Sequence, residues 1–282
     1  MRVAVTGSHG FIGTALRASL LDDGHEPVAI GRDSITSAAL RGSDAVVHLA
    51  GEPIGAKRLT AEQKRRILES RTTTTSAVAR AMVALGAEGP QVLVSASAIG
   101  YYGDRGDEVL TETSAPGDDF LAGVCTAWEA AADPARDAGL RVAHVRTGLV
   151  LGRGGALAKM LPLFRVGLGG RFGSGRQWWS WISLDDEVGA IRFLLDHDVA
   201  GPVNLTGPAP LTNAAFTKVL ARVLHRPAVV PVPKFGPRLL LGRELADELL
   251  FTSQRVEPAV LAAHGYRFRH PDAESALRAT LG

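Results

Sequence analysis

Cysteine and net charge are what this 282-residue chain has least of. It contains one cysteine, Cys125, so neither an internal disulfide nor a cysteine-cluster metal site can form. Its formal charge of +2 lies too close to neutrality to favour nucleic acid or a membrane surface as a partner. We therefore expect a protein that binds neither nucleic acid nor membranes.

Long apolar runs are also missing, since even the longest, at residues 45–50, is far too short to span a bilayer. The eight histidines show no spacing typical of a metal site, so we expect no catalytic metal. No targeting segment precedes the first apolar run, and the expected location is cytoplasmic. A chain of this length with 46% hydrophobic residues can bury a full-sized core.

What the sequence does contain is a glycine-rich turn near its start. A short apolar run at residues 3–6 leads into Gly7, Gly10 and Gly13, and a helical pattern follows. Glycines let the backbone approach a pyrophosphate, and a helix N-terminus points free N–H groups at it. The G-x-x-G-x-x-G spacing is one residue longer at its start than the commonest dinucleotide fingerprint. The order strand, turn, helix predicts a dinucleotide site, with an ordinary tight turn as the alternative.

Apolar runs typical of strands alternate with helical patterns over residues 1–150. Alternation of this kind predicts right-handed crossovers and a doubly wound parallel sheet, the Rossmann-type α/β fold. Ligands of such sheets bind outside the carboxyl ends of the strands. Strands are expected at 3–6, 27–31, 45–50, 91–97 and 141–149, and long helices at 60–85 and 120–138.

The pattern changes beyond residue 150, where a glycine-rich stretch with three tryptophans begins. A short strand at 202–206 and a helix at 213–224 come later. We expect a nucleotide-binding core at residues 1–150, with further sheet residues from about 180–206. Residues 151–282 would then form a substrate-side segment and a small α-rich C-terminal domain.

The end of the second strand distinguishes the two nicotinamide dinucleotides. An acidic residue there binds the ribose hydroxyls of NAD, whereas an arginine accommodates the 2′-phosphate of NADP. This chain has Gly31 and then Arg32, whose guanidinium can bracket a phosphate with two parallel hydrogen bonds. The sequence therefore favours NADP(H), with an ordinary surface arginine as the alternative. Arg71, on the long helix, is a second cationic candidate near the nucleotide, although a solvated helix face would account for it equally well.

Taken together, these motifs resemble those of the extended short-chain dehydrogenases/reductases. The similarity is closer still to the "epimerase family" proteins that carry a small C-terminal domain of unknown function. It spans essentially the whole chain. The segments that carry it are residues 6–13, 48–52, 70–71, 95–103, 146–155, 173–181 and 265–271.

The resemblance implies a cofactor site assembled from several strand ends. The glycine-rich turn would hold the pyrophosphate, residues 31–32 the 2′-phosphate, residues 49–50 the adenine and ribose, and residues 149–150 the nicotinamide side. It also suggests a homodimer formed through paired helices. The full set of implied cofactor residues is Gly7, Ser8, Gly10, Phe11, Ile12, Gly13, Gly31, Arg32, Leu49, Ala50, Arg71, Leu149 and Val150.

The chain departs from the resemblance at the catalytic pair. Active short-chain reductases carry Tyr-x-x-x-Lys on a helix, where the lysine lowers the pKa of the tyrosine so that the phenol can exchange a proton. At the expected place this chain has Phe120 and Val124, and neither side chain can transfer a proton. None of the three tyrosines has a lysine four residues later.

Three catalytic candidates remain near the end of the fourth strand. Ser97 corresponds to the serine that hydrogen-bonds the substrate oxygen in active relatives. Tyr101 and Tyr102 follow on the next loop, where either phenol could act as general acid, helped by Arg105 or Asp104. The alternative is that one tyrosine forms an aromatic lid and the other hydrogen-bonds the backbone.

On the substrate side, Arg176 and Trp178 are expected to border the pocket. An equally good interpretation is that the tryptophans at 178, 179 and 181 form the interface between the main and the small domain. Glu52, on the loop after the third strand, is another candidate proton carrier, although a lone loop carboxylate is more often solvated.

The sequence thus predicts an NADP(H)-dependent oxidoreductase or epimerase of the extended short-chain type, acting on a small carbonyl or hydroxyl compound. A second reading is a regulatory protein that binds NADP(H) without turnover, which the missing Tyr/Lys pair favours. A third is a dehydratase or isomerase that uses the nicotinamide only transiently.

Overall fold

A six-stranded parallel sheet forms the centre of the structure, a computed structural model that describes residues 1–282 apart from the side chain of Ala56. In chain order the strands are β1 (Arg2–Thr6), β2 (Glu26–Ile30), β3 (Ala45–His48), β4 (Val92–Ala98), β5 (Val109–Leu110), β6 (Arg141–Thr147), β7 (Leu149–Leu151), β8 (Trp178–Trp179), β9 (Trp181–Ser183), β10 (Gly201–Leu205), β11 (Leu211–Thr212) and β12 (Arg255–Val256). The helices are α1 (Phe11–Asp22), α2 (Ser37–Leu40), α3 (Ala61–Leu85), α4 (Phe120–Ala130), α5 (Asp133–Asp137), α6 (Gly155–Arg165), α7 (Leu184–Asp196), α8 (Asn213–Leu224), α9 (Phe235–Leu241), α10 (Arg243–Ala246), α11 (Ala259–Ala263) and α12 (Ala273–Leu281).

The strand order of the central sheet is β10-β6-β4-β3-β1-β2, and neighbouring strands run parallel. From β1 the chain moves outward to β2 and then returns to β3 on the other side of β1. The order therefore reverses between β1 and β3, and a ligand crevice forms outside their carboxyl ends. This confirms the predicted doubly wound Rossmann-type fold.

Alternate residues of each strand face opposite layers of helices, as the two-residue period of a strand requires. Val3 and Val5 of β1 are buried in the cluster that includes residues of α1 and α7. Ala4 lies between them in the chain and is buried on the other face, with residues of α3 and α5. Both faces of the sheet are covered, which is why apolar residues predominate in its strands instead of alternating with polar ones.

Two predicted elements are broken in the structure. The helix expected at 120–138 is divided into α4 and α5, because Pro134 near the start of α5 has no N–H to donate and its ring would clash within a continuous helix. The strand expected at 141–149 ends at Thr147. A side chain at Gly148 would come within 2.6 Å of the Ser180 carbonyl oxygen, and after this glycine β7 pairs with β9 instead of continuing in the central sheet.

A third apolar cluster lies on the side of the later residues, from β7, α6, β8, β9, α8 and α12. Trp179 and Trp181 are buried in it, together with Phe216 and Leu277. Two of the three neighbouring tryptophans are therefore core residues of this region. No helix of the described residues is long and apolar enough to cross a membrane.

Candidate active site

The glycine-rich turn between β1 and α1 forms an open backbone cradle. A Cβ on Gly7, which has a φ of +66°, would lie 2.8 Å from the carbonyl of Leu49, and one on Gly13 would lie 2.2 Å from the Gly7 oxygen. Gly10 caps α1 without a side-chain hydrogen bond, so the first N–H groups of the helix remain available to a ligand. These amides and the positive end of the helix dipole fit the pyrophosphate of a dinucleotide.

Most side chains of this turn pack toward the protein, whereas that of His9 is exposed. Ser8 is buried, with its hydroxyl 3.2 Å from Nδ1 of His9. The ring of Phe11 lies so near Gly152 and Gly154 that a Cβ on either would come within 2.4 or 2.6 Å of it. Ile12 packs against the apolar cluster beneath the sheet.

A cavity of about 480 Å³ lies between the segments that follow β2 and β3 and one face of α3. Arg32, which follows the exposed Gly31 at the end of β2, forms part of its wall. Glu52 lines it from the loop after β3, beyond Leu49 and the buried Ala50. The position and size of the cavity fit the adenosine half of a dinucleotide. Glu52 lines this cavity together with Arg32.

Arg71 occupies a different position from the one expected of a nucleotide-binding cation. Its side chain is 6% exposed, and its Nη atoms donate to the carbonyl oxygens of Ile67 at 3.1 Å and Glu52 at 3.0 Å. The guanidinium carbon lies 4.8 Å from the Trp128 ring, and burial lowers the pKa of the group. These contacts make Arg71 the support of the loop after β3 rather than a surface ligand for phosphate.

At the carboxyl end of β4 a buried polar cluster surrounds Ser97. The Ser97 hydroxyl donates to Oε1 of Glu129 at 2.7 Å. Arg146, from β6, donates to both carboxylate oxygens of Glu129 at 2.8 Å. Burial opposes the charge on Arg146, but the bonds to Glu129 outweigh it and raise the pKa of the guanidinium. Ser97 therefore has its hydrogen committed to a carboxylate and offers only lone pairs to the cleft.

The structure separates the two neighbouring tyrosines. Tyr102 has no exposed surface; its hydroxyl donates to Asn204 at 2.6 Å and accepts from Arg146 at 3.1 Å. Burial raises the pKa of this phenol to about 12. The expectation that Tyr102 acts as general acid is therefore wrong, because a fully buried phenol with an engaged hydroxyl cannot meet a substrate.

Tyr101 is half-buried on the same loop, with its ring edge-on to that of Tyr102. The guanidinium carbon of Arg146 lies 3.4 Å from the centre of the Tyr101 ring. Arg105 and Asp104, which the sequence suggested as groups that assist the tyrosine, make other contacts. Arg105 pairs with Glu108 at 2.8 Å, and Asp104 accepts the backbone N–H of Ser253 at 3.0 Å. The cation beside Tyr101 is thus Arg146.

Helix α4 lies against this loop with a face that carries no proton-transferring group. A Cβ on Gly100 would be 3.6 Å from the Leu121 side chain and 3.8 Å from the Cys125 sulfur. Burial raises the pKa of the Cys125 thiol to about 12, which keeps it protonated. Leu121 and Cys125 therefore contact the loop, and neither this pair nor Phe120 and Val124 replaces Tyr-x-x-x-Lys.

The substrate-side candidates lie at the rim of this region. Arg176 is exposed, and Trp178 is half-buried, with its indole donating to Asp107 at 2.8 Å. Gln254 connects Trp178 to the loop after β4: its backbone N–H donates to the Trp178 carbonyl, and its side chain donates to the Ile99 carbonyl at 3.0 Å. The structure thus brings Trp178 near the end of β4, while its two tryptophan neighbours are buried in the core.

Residues beyond the end of β6 complete the sheet edge. Leu149 and Val150 lie in β7, and the Leu149 N–H donates to the Ser180 carbonyl at 2.9 Å. Beneath them the hydroxyl of Thr147 donates to Glu187 at 2.8 Å. Burial raises the pKa of Glu187 to about 8.

Sequence reasoning assigned no role to Glu129, Arg146 and Glu187, three charged residues of this edge with little or no exposed surface. Arg146 does carry a signal, because an arginine within an apolar strand pattern needs a partner for its charge. Glu129 has no such signal, since a glutamate on a helix usually faces water. Among the residues that the structure describes, no group of three His, Cys, Asp or Glu side chains is placed to hold a metal ion.

The chain is similar along its whole length to proteins named as epimerases. The model of the NAD dependent epimerase/dehydratase family matches residues 3–206, and that of a domain of unknown function, DUF1731, matches residues 232–280. An epimerase family protein of Mycobacterium tuberculosis is 42% identical over 98% of this chain and 96% of its own length. Epimerase family protein SDR39U1 of Bos taurus is 40% identical, with 100% of both chains covered. The crystal structure of human SDR39U1 (isoform 2) with NADPH superposes with a TM-score of 0.92 at 36% identity, covering 99% of both chains.

Proposed function

Because this chain belongs to the NAD-dependent epimerase/dehydratase family, as its motifs predicted, we propose that it is an NADP(H)-dependent oxidoreductase or epimerase of the extended short-chain type. Its substrate is a small compound with a carbonyl or hydroxyl group. One observation carries the proposal: the glycine cradle, the Arg32 cavity and the Ser97–Tyr101 edge lie at the carboxyl ends of adjacent strands of one sheet.

The choice of NADP(H) over NAD(H) depends on Arg32, which lines the cavity where an acidic residue would bind the ribose hydroxyls. The solved human relative is described as a complex with NADPH, which supports the same choice. The amides of Phe11 and Ile12 at the start of α1 would hold the pyrophosphate. NADP(H), when bound, supplies or accepts the hydride.

The proton-transfer groups follow from the hydrogen bonds at the end of β4. Ser97 gives its hydrogen to Glu129, so its oxygen accepts a hydrogen bond and orients a substrate hydroxyl. Tyr101 is the group that exchanges the proton, because it is accessible where Tyr102 is sealed. Arg146 packs its guanidinium against the face of the Tyr101 ring and fixes the orientation of the phenol.

A regulatory protein that binds NADP(H) without turnover is the second candidate. The observation that favours it is α4, which carries Phe120 and Val124 at the expected place of the proton-transferring pair and packs Leu121 and Cys125 against the loop after β4. The two candidates share the cofactor site and differ only at the end of β4.

Turnover of a panel of aldehydes, ketones and sugars, read from NADPH absorbance, separates the two functions. We expect consumption with at least one carbonyl, and we expect Tyr101→Phe to lower that rate by about a hundredfold, the usual contribution of a general acid. Tyr102→Phe is the matched control; it should leave the rate within a few-fold while lowering the melting temperature. If NADPH binds tightly, no carbonyl is consumed above the blank and no epimer forms when the sugars are incubated with the protein and NADP(H), the protein is a binder rather than an enzyme.

A further inference from the structure

One face of α3 forms a wall of the adenosine-side cavity. Arg66, Ser70, Thr73 and Ala77 all line it, and their spacing of four, three and four residues places them on one stripe of the helix. Arg32, from the segment that follows β2, lines the same cavity. The cavity therefore has a guanidinium on each of two walls that come from different parts of the fold.

The cavity also carries negative charge. Asp33, Glu52 and Glu69 line it together with the two arginines. A phosphate carries nearly two negative charges at neutral pH, so these carboxylates oppose its binding. Arg32 contributes one positive charge that offsets this repulsion, and its neighbour in the chain, Asp33, partly cancels that charge. A second guanidinium close to the phosphate would lower the excess of carboxylates over arginines from two to one and add a direct partner for the phosphate oxygens.

Arg66 is the residue that can supply this second cation. In this structure it pairs with Glu62, one turn earlier on the exposed surface of α3, and its side chain is 53% exposed. Exposed pairs of this kind contribute little to stability. A phosphate offers a guanidinium two parallel, charge-assisted hydrogen bonds and is the stronger partner. Arg71, by contrast, is buried with both Nη atoms bound to backbone carbonyls.

We propose that Arg66 is the second clamp of the 2′-phosphate, in the cavity that Arg32 also lines, and that the two arginines together set the preference for NADP(H). This inference rests on the proposed NADP(H)-dependent function. It assigns to α3 a discriminating role in addition to that of the residue after β2. The ligand moves Arg66 from Glu62 onto the phosphate, so the clamp closes only around the phosphorylated dinucleotide.

Equilibrium titration of the intact protein with NADPH and with NADH, followed by tryptophan fluorescence and by calorimetry, tests the clamp without any substrate. Arg66→Ala should weaken NADPH binding by about tenfold or more and leave NADH binding within about twofold, because only the 2′-phosphate contact is lost. Arg66→Lys keeps the charge and should recover part of the loss. Arg80→Ala is the matched control, since it removes the same charge from an exposed position about 21 Å further along α3.

The outcomes distinguish this inference from the function on which it rests. If Arg32→Ala abolishes the preference for NADPH while Arg66→Ala binds both dinucleotides like the wild type, the Arg66 clamp is wrong and the cofactor proposal stands. An equal loss in Arg66→Ala and Arg80→Ala would also overturn it, because the effect would then be one of general charge. If the wild type binds neither dinucleotide, both proposals fail together.

Discussion

At the scale of single residues, Glu187 shows how burial changes the chemistry of a side chain. It has no exposed surface, its Oε1 accepts from Thr147, and its Oε2 has no hydrogen-bond partner among the described residues. An unpaired oxygen in an apolar layer disfavours the charged form of a carboxyl group. The pKa of Glu187 accordingly rises to about 8, so the folded protein carries it protonated at neutral pH.

This shift predicts a pH-dependent stability. An unfolded glutamate releases its proton at about pH 4.5, whereas folded Glu187 retains it up to about pH 8. Because the folded state binds the proton more tightly, the free energy of unfolding falls as the pH rises through this interval. Relative to Glu187→Gln, which cannot ionise, the wild type should lose about 1.4 kcal/mol per pH unit.

Urea denaturation of both proteins at pH 5, 6, 7 and 8 measures this difference. Asp196→Asn, which removes an exposed carboxylate from the same helix, is the control and should follow the wild type. A difference between the wild type and Glu187→Gln that stays constant with pH would show that Glu187 is ionised in the folded protein.

At the scale of elements, the start of α1 depends on a close approach that only glycine allows. Gly13 lies in the first turn of the helix, and a Cβ there would meet the Gly7 oxygen at 2.2 Å and the Ser8 Cα at 2.9 Å. These are backbone atoms, which cannot move aside without displacing the turn. The helix N-terminus and the strand end are therefore held together by the absence of a side chain.

Gly13→Ala should push α1 away from the turn and abolish the binding of NADPH and NADH alike. Gly123→Ala is the matched control, because Gly123 is also helical and nothing lies within 4 Å of a Cβ at that position. That variant should bind both dinucleotides normally and gain about 0.5–1 kcal/mol of stability, since alanine loses less entropy in a helix. Normal cofactor affinity in Gly13→Ala would remove the turn from the binding site.

At the scale of the whole molecule, Asp186 joins the end of the chain to the central fold. Its carboxylate is 1% exposed and accepts the backbone N–H groups of Arg269 at 2.6 Å and His270 at 3.0 Å, besides the hydroxyl of Ser183 at 2.7 Å. The backbone carbonyl of the same residue accepts from the Tyr266 hydroxyl at 3.0 Å. One side chain at the start of α7 thus holds the segment that leads into α12.

Asp186→Asn should release that segment, because an amide has one oxygen and its NH₂ group faces backbone donors. We expect a loss of about 2–3 kcal/mol in the free energy of unfolding and faster hydrogen exchange in α12. Asp185→Asn alters an exposed neighbour that pairs with His270 and should cost less than about 1 kcal/mol. Unchanged exchange in α12 of Asp186→Asn would show that other contacts hold the segment.

The fold follows from information that is local in the chain. The position of Gly7, Gly10 and Gly13 after an apolar run, and the alternation of strand and helix periods, require only neighbouring residues, and the parallel sheet confirmed them. The boundary at Gly148 was missed because it depends on what the backbone meets in space, whereas the break at Pro134 did have a local signal, the proline itself, that the expected helix overlooked. The division at residue 150 stays a prediction.

The choice among candidate side chains is different, because it depends on partners far along the chain. The hydroxyl of the buried Tyr102 donates to Asn204, which is 102 residues away in the chain. No residue close to Tyr102 in the sequence predicts that hydrogen bond. Arg71 and Arg66 are five residues apart on one helix, yet packing turns the first toward a loop and the second toward a cavity. Local spacing thus places a dinucleotide cradle at the start of the chain, whereas only the packed sheet decides which tyrosine and which arginine can reach a ligand.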